Sequence, residues 1–432
     1  MTGALRRSLR ESVPKGFHAG THRCITPAET AARVTPHLAS MGITRVADVT
    51  GLDIIGLPVV MVCRPNACSL AVAQGKGLTM DAARASGLME SIESYHAENI
   101  ALPLRLASYR ELRQSERVVD ASRLPRFSVS AFHEHLRLLW VEGHDLVGDE
   151  PVWVPYEMVH TNYTLPLPAG SGSFVMSSNG LASGNHLLEA LSHGICEVVE
   201  RDATTLWHAA GGPAAGGRVD LDTVDDPACR EVLALYQRAG IAVGVWETTS
   251  DVGLPAFSCL IVDREPDPMR LLYATEGMGC HPSRGVALLR ALTEAAQSRL
   301  TFIAGSRDDG DRDRFERVRH ADFIRAARAQ IDETVGGMRD FRGIPDRAGE
   351  TFEGDIERAV AGLVGAGVKE VIAVDLRKAG LDIAVVRVII PGLESVDDVP
   401  GFVPGARARA RLQAHAQAHA HAHGAVHGQA RS

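Results

Sequence analysis

Apolar positions along the chain change period repeatedly, and the changes mark its elements. ITRVADVT and LPVVMVCRP are β-branched runs bounded by glycine or proline, the pattern of strands. A helical stretch near Pro27–Met41 precedes them, and TMDAARASGLMESIESYHAE returns to a helical period. Between about 107 and 183 the pattern predicts short strands and loops, including the Gly/Ser-rich PAGSGSFVMSSNGLASGN, read as a flexible loop. GNHLLEALSHGICEVVERDA follows with one apolar stripe of Leu, Ile and Val, an amphipathic helix. IAVGVWETT and LPAFSCLIVD read as paired strands, GMGCHPSRG as a turn, and VALLRALTEAAQSRLTFIAG as a third long helix. SRDDGDRDRFERVRH mixes both signs of charge and reads as a solvated loop. EVIAVDLRKAGLDIAVVRVII gives two strands around a turn. The order has no regular βαβ alternation, so the fold class is α+β.

The polar residues of the three long helices carry the chemistry. A helix turns about 100° per residue, so residues three, four and seven apart share a face. Ser86, Glu90 and Glu93 fall on one face of the first helix. Asn185, Glu189, Glu197 and Glu200 fall on one side of the second, and Arg290, Glu294 and Gln297 line the third. Solvated faces usually pair Glu with Lys or Arg four residues on. Here those positions are Ser94, Ala97, His193, Arg201 and Ser298, so only Glu197 has such a partner. Three water-facing helix sides remain the plain alternative.

If the faces converge, six carboxylates meet: Glu90, Glu93, Glu189, Glu197, Glu200 and Glu294. Two such charges about 6 Å apart at an effective dielectric near 20 repel by roughly 3 kcal/mol, which demands cations. Hard oxygens without thiolate or paired His favour Mg²⁺ or Ca²⁺ over zinc, and Mg²⁺ held by carboxylates usually bridges to phosphates. A nucleoside triphosphate is the expected ligand. No GxxxxGK[ST] occurs, and the GKG at Gly75–Gly77 lacks P-loop spacing; no GxGxxG follows a strand. His193 lies in the carboxylate arc and is a candidate acid/base or phosphate contact, the alternative being a hydrogen-bonded structural histidine. Cys196 points toward the packed side, which disfavours a sulfur-carrier role.

Composition narrows the surroundings. The 432 residues are 45% hydrophobic and carry a formal charge of −8, which gives no general attraction to nucleic acid or anionic membrane. No run approaches the roughly 18 apolar residues of a membrane span, and the N-terminus lacks an apolar signal core, so a cytoplasmic location is expected. Seven scattered cysteines without a CxxC pair indicate neither a disulfide scaffold nor structural zinc. After Gly405 the chain becomes Ala, Arg and His, read as a disordered tail over 404–432 behind a catalytic domain over 1–403. The tail histidines suit adventitious Ni, Zn or Cu.

The pattern Ser86-x3-Glu90-x2-Glu93, Asn185-x3-Glu189-x7-Glu197-x2-Glu200-Arg201, and Arg290-x3-Glu294 with Gln297 and Arg299 resembles the YcaO family. SSNGLASGN leading into EVVERDA, and ALLRALTEAAQSR, are similar to its signature segments; the resemblance spans about Lys15 to Glu394. It implies a YcaO-type fold, mixed and antiparallel sheets with helices lining an ATP/Mg²⁺ site. By resemblance Ser86, Asn185, Arg201, Arg290, Gln297 and Lys15 contact ATP, the six glutamates hold Mg²⁺ or touch nucleotide, and Glu200, Arg201 and His193 stand nearest the chemistry. The implied reaction is phosphorylation of a peptide amide oxygen followed by attack on carbon. A Cys, Ser or Thr side chain then gives an azoline, and sulfide gives a thioamide.

Azoline-forming members commonly end in a PxPxP tail, whereas PGFVPG here runs into Ala, Arg and His. KGFHAGTHRCITPAETAARV, VTGLDIIGLPVVMVCRPN and AQGKG look more like the branch that works with a TfuA partner and is associated with thioamides. Thioamide formation is therefore expected, with a precursor peptide or protein as substrate, a TfuA-like partner, a sulfide source and a homodimeric assembly. Retention of all six glutamates argues against a non-catalytic scaffold. A metal-dependent hydrolase would want His ligands beside the carboxylates, and only His193 is near.

Overall fold

The computed structural model describes residues 8, 10–265, 273–307, 312–333, 335–395, 397 and 401–429. In chain order its first elements are α1 (Pro27–Val34), β1 (Arg45–Asp48), β2 (Val59–Cys63), β3 (Val72–Lys76), α2 (Met80–Glu98), β4 (Leu104–Ser108) and α3 (Tyr109–Leu112). Then come β5 (Arg137–Asp145), β6 (Glu150–Pro155), β7 (Leu181–Gly184), α4 (Leu187–Ala209), β8 (Val219–Asp220) and α5 (Pro227–Arg238). Next are β9 (Ile241–Glu247), β10 (Ala256–Asp263), β11 (Ala274–Cys280), α6 (Arg284–Ala304), α7 (Arg312–Arg317), α8 (Ala321–Asp332) and β12 (Arg339–Asp340). The last are α9 (Phe352–Gly365), β13 (Ile372–Asp375), β14 (Ala384–Ile389) and α10 (Ala406–Gln429).

The strands form antiparallel sheets, apart from a two-residue parallel pairing of β8 with β12. A six-stranded sheet runs β4-β5-β13-β14-β7, with β6 also on β5, and α4 packs on β14 and β7. Two three-stranded sheets, β1-β2-β3 and β9-β10-β11, each end in a strand that feeds a long helix, α2 and α6. The fold is α+β, as the sequence pattern indicates. Among the described residues no helix is long and apolar enough to cross a membrane.

The two sheet-plus-helix units match residue for residue where strand meets helix. The shift that carries Met80, the first residue of α2, onto Arg284, the first of α6, also carries Gly75 onto Gly279. A Cβ on Gly75 would lie 2.1 Å from the Ala83 carbonyl oxygen and 2.1 Å from Gly87 N. One on Gly279 would lie 2.0 Å from the Ala287 oxygen and 2.7 Å from Ala291 N, the shifted counterparts. Only glycine lets strand and helix backbones approach this closely.

Five expectations need correction. The helix predicted over Pro27–Met41 stops at Val34 and gives way to a 3-10 turn over Thr35–His37, because Pro36 has no N–H to extend the α-helical ladder. Part of the predicted 168–185 loop is strand: Leu181–Gly184 pair with Arg387–Ala384 of β14. GMGC is not a turn but the end of β11, its glycines serving close packing rather than chain reversal. The tail read as disordered forms α10 over Ala406–Gln429, and of the charged run read as a loop, residues 308–311 lie outside the described residues while Arg312–Arg317 form α7. Arg407 anchors the first turn of α10, its Nε and Nη2 each 3.0 Å from an Asp202 oxygen. Glu394 caps it by accepting from Gly405 N at 2.7 Å and Ala408 N at 2.9 Å. Alanine and arginine favour helix once its start is fixed.

Gly279→Ala is expected to destabilise the protein by about 1–3 kcal/mol, since the contacted atoms are backbone and cannot rotate away. Thermal unfolding of Gly279→Ala and Gly75→Ala checks this; unchanged midpoints would contradict the close-packed description.

Candidate functional site

Strand and loop N–H groups meet the three glutamate helices in a regular way. Glu90 of α2 accepts from Gln74 N at 3.5 Å, and its shifted counterpart Glu294 of α6 accepts from Met278 N at 3.4 Å. Glu93 accepts from Ser183 N at 2.8 Å and Ser183 Oγ at 2.6 Å. On α4, Glu197 accepts from Gly180 N at 3.3 Å, Glu200 from Cys280 N at 2.9 Å and Glu189 from Cys24 N at 2.8 Å. Each of the six is thus held through an oxygen by a backbone donor of another element. The second oxygens of Glu90, Glu93 and Glu197 have no hydrogen-bond partner among the described residues.

Cations stand between the helices. Lys76 Nζ of β3 lies 2.8 Å from Glu294 Oε2. Arg290 Nε is 3.9 Å and Arg201 Nε 4.0 Å from the Glu200 oxygens. Arg23 Nε is 3.8 Å from Glu189 Oε1, which also accepts from Asn185 Nδ2 at 3.5 Å. The mutual repulsion expected for clustered carboxylates is therefore met in part by side chains from β3, α4, α6 and the N-terminal segment. Lys76 belongs to the very GKG that fails as a P-loop; nothing in its local spacing announces a site residue.

The charges nevertheless remain unbalanced. Burial pushes Glu93 up from 4.5 to about 8, with Glu197 and Glu90 adding to the rise against the Ser183 hydrogen bonds. Burial likewise raises Glu90, Glu197 and Glu200, against opposing cations. Glu294 goes the other way: burial acts to raise it, but Lys76, Arg201 and Arg290 together hold it at about 2. Glu93 senses Glu90 and Glu197, Glu90 senses Glu294, and Glu200 senses Glu197 and Glu294. Five carboxylates form one electrostatic group; Glu189 stands at the first turn of α4 with Arg23 and Asn185.

Arg290 also fixes His193. Arg290 Nη1 lies 2.9 Å from His193 Nε2, and a guanidinium only donates, so Nε2 accepts and the ring proton sits on Nδ1. Among the described residues that buried Nδ1 has no hydrogen-bond partner. Burial, then Arg290 and Arg23, hold His193 far below the ordinary histidine range, so it is neutral. Gln74 Nε2, Asn179 Oδ1 and Arg290 Nε are likewise buried without hydrogen bonds among the described residues.

Other sequence-derived residues separate. Ser86 is the shifted counterpart of Arg290, and Gln297 that of Glu93, both half-buried. Asn185 Nδ2 donates to Thr30 Oγ1 at 3.0 Å. Lys15 is not in contact with the glutamates: its buried ammonium pairs with Asp355 at 2.6 Å and donates to Gly349 O at 2.6 Å. Arg299 is structural, pairing with Asp53 at 3.0 Å and Asp263 at 2.7 Å in full burial. Cys196 packs in the apolar cluster behind α4.

The donor set fits a hard divalent cation: carboxylates alone, four of them raised by burial, with Glu90, Glu93 and Glu197 each holding an oxygen in reserve. Among the described residues no three His, Cys, Asp or Glu side chains are close enough to share one ion as they stand.

Residues 74–394 match the family model described as YcaO cyclodehydratase, ATP- and Mg²⁺-binding. The chain belongs to the YcaO family. Its members are ATP-dependent enzymes, with ATP and Mg²⁺ as the family's cofactors. A Rhizobium leguminosarum bv. trifolii protein, described as lying in the tfuA 3′ region, is 35% identical over 377 residues, 86% of this chain and 88% of its own length. A Methanothermobacter thermautotrophicus protein is 35% identical over 385 residues, 87% of this chain and 96% of its own. Two solved structures share the fold. YcaO from Methanopyrus kandleri, bound with AMPPCP and Mg²⁺, has a TM-score of 0.70 and 23% identity over 91% of this chain and 100% of that one. A heterocyclase in complex with substrate and cofactor has a TM-score of 0.74 and 21% identity over 90% of this chain. The YcaO chain described here spans 55% of that heterocyclase.

Two expectations follow. Glu93 keeps a proton in the fold that the unfolded chain releases above pH 4.5, so its contribution is present below pH 4.5 and declines as pH rises to about 8. Glu294 contributes above pH 4.5, and that is lost as pH falls toward 2. Mg²⁺ should replace the Glu93 proton, so the melting-temperature gain from Mg²⁺ grows from mildly acidic to mildly alkaline pH, with proton uptake by buffer detectable calorimetrically. In Glu93→Gln the pH dependence of that gain should shrink; an equal gain at both ends in the wild type would contradict it. Separately, His193→Gln, whose amide oxygen can accept from Arg290, should retain more ATP turnover than His193→Leu, measured as phosphate release.

Proposed function

We propose that this chain is an ATP-dependent enzyme that activates a peptide backbone amide and directs sulfide onto it, giving a thioamide. The observation that carries the catalytic reading is the group of five coupled carboxylates from three helices, interleaved with Lys76, Arg201 and Arg290. The relative in the tfuA 3′ region supports the thioamide branch and a TfuA-like partner.

An amide carbonyl is a poor electrophile because nitrogen donates into it, and its oxygen is a poor leaving group. Transfer of phosphoryl to that oxygen gives ADP and an O-phosphorylated amide; sulfide adds at carbon, the C–O bond breaks, and phosphate leaves. Bound ATP–Mg²⁺ supplies the phosphoryl group and divalent charge. The protein's share is to align and neutralise, which can contribute roughly 7–11 kcal/mol. Glu90, Glu93 and Glu197 offer free oxygens to metal, with Glu189, Glu200 and Glu294 completing the acidic set. Glu200 holds Arg290 and Arg201 where they can face phosphate oxygens. Neutral His193 accepts from Arg290 and presents its Nδ1 proton to an oxygen of ligand or amide, a positioning role rather than that of a base. Ser86, Asn185 and Gln297 line the nucleotide side; Lys15 would reach nucleotide only by leaving Asp355. In this reading the catalytic unit is a homodimer over residues 1–403, with α10 appended.

Glu200→Gln should lower ATP turnover by about 100-fold or more while the far-UV spectrum stays unchanged. Mass spectrometry of a candidate peptide incubated with the chain, a TfuA-like protein, ATP and sulfide decides the product. A gain equal to exchange of oxygen for sulfur supports the thioamide; loss of water supports the azoline alternative. Full turnover by folded Glu200→Gln would overturn the site assignment.

A further inference from the structure

A second concave site lies away from the glutamate helices, between α3, the loop over residues 113–134 and the segment Lys369–Glu370, with a volume of about 900 Å³. None of the residues discussed above lines it. The chain is acidic overall, yet here Arg113, Arg117, Arg123, Arg126 and Lys369 outnumber the carboxylates.

The partners of these cations differ. Arg117 is consumed: it pairs with Asp145 at 2.8 Å, Glu370 at 3.1 Å and Glu150 at 3.2 Å. Arg126 donates to Ala121 O at 2.6 Å and lies over the rings of Phe132 and Phe174 at 4.5 and 5.4 Å. Among the described residues no carboxylate pairs with Arg113, Arg123 or Lys369. Arg113 covers the Tyr109 ring at 5.2 Å, and Arg123 Nη2 reaches only the Gly367 carbonyl at 3.5 Å. Three uncommitted cations thus surround an opening walled by Tyr109 and Phe132. The wall also carries negative charge. Asp120 is bonded to Ser122, with 3.0 Å to N and 2.6 Å to Oγ, and Glu134 is exposed.

This mixture selects the ligand class. A nucleic-acid backbone presents phosphate at every step and would meet Asp120 and Glu134 as well as the cations. A polypeptide can set carboxylates against Arg113, Arg123 and Lys369, N–H groups against the acids, and an apolar side chain against the two rings. The volume exceeds the needs of a lone carboxylate and suits a segment of several residues. The geometry points to this cleft as a docking site for an acidic peptide segment presented by another chain. The inference is independent of the thioamide reading.

Fluorescence anisotropy of the full chain with a labelled twelve-residue peptide of alternating Glu and Leu tests it, beside the same peptide with Gln or Lys for Glu and a single-stranded oligonucleotide of equal charge. The acidic peptide should bind at least about tenfold tighter than either substituted form and weaken with salt. The double variant Arg113→Glu, Lys369→Glu should lose about tenfold in affinity with its melting temperature and ATP turnover unchanged. No binding of the acidic peptide, equal binding of the Gln form, undiminished binding by the variant, or tighter binding of the oligonucleotide each overturns the proposal.

Discussion

The site depends on a carboxylate held by one oxygen. Burying an anion is costly unless it is paired or hydrogen-bonded, and each of the six glutamates meets part of that cost by accepting from a backbone N–H. A backbone donor fixes position without adding a full positive charge. That leaves Glu90, Glu93 and Glu197 under-compensated, which is why burial raises all three. A cation arriving between them finds ligands already oriented and already short of positive charge. Had each glutamate an arginine partner instead, as Arg299 has two aspartates, the group would be stable and inert.

The internal correspondence of β3–α2 with β11–α6 explains how one architecture makes both signs of charge. The frame repeats: Gly75 matches Gly279, and Glu90 with its Gln74 donor matches Glu294 with its Met278 donor. The variable positions differ in kind. Ser86 becomes Arg290, Glu93 becomes Gln297, and Lys76 becomes Cys280. One copy leans acidic and suits metal; the other brings a guanidinium and suits phosphate. α4 is bonded to β11 through Glu200 on Cys280 N and to the segment before β7 through Glu197 on Gly180 N, while Glu93 of α2 accepts from Ser183 of β7. A triphosphate with its counter-ions needs this polarity across a short distance.

Much of this was legible in the sequence because helices convert spacing into direction. Serine, glutamate, arginine and glutamine at fixed intervals on three helices identified faces, with Asn185 lying just before the N-cap of α4 rather than on it, and long helices are the elements that periodicity defines best. What sequence hid was contributed by strands and loops through main-chain atoms. Cys24, Ser183 and Cys280 act through N–H groups common to every non-proline residue, so their identity carries no signal. Lys76 was masked by a failed motif, since its partner Glu294 lies far along the chain. Gly277 and Gly279 read as a turn because glycine has two uses, reversal and close approach, and only the packing of α6 distinguishes them. The Ala/Arg/His tail read as disordered because composition cannot show that Arg407 finds Asp202 across the fold.

His193 illustrates what pairing does to a candidate acid or base. A histidine among glutamates is ordinarily expected to gain a proton, because nearby negative charge favours imidazolium. Here burial and Arg290 act first, and the same hydrogen bond that lowers its basicity also settles its tautomer. Protonating Nε2 would place a cation against a guanidinium and break the hydrogen bond that joins Arg290 to His193 of α4. The ring therefore serves the arginine. Its Nδ1 proton is left as a fixed donor in a buried place, and such a donor does most for chemistry when negative charge develops on an oxygen opposite it.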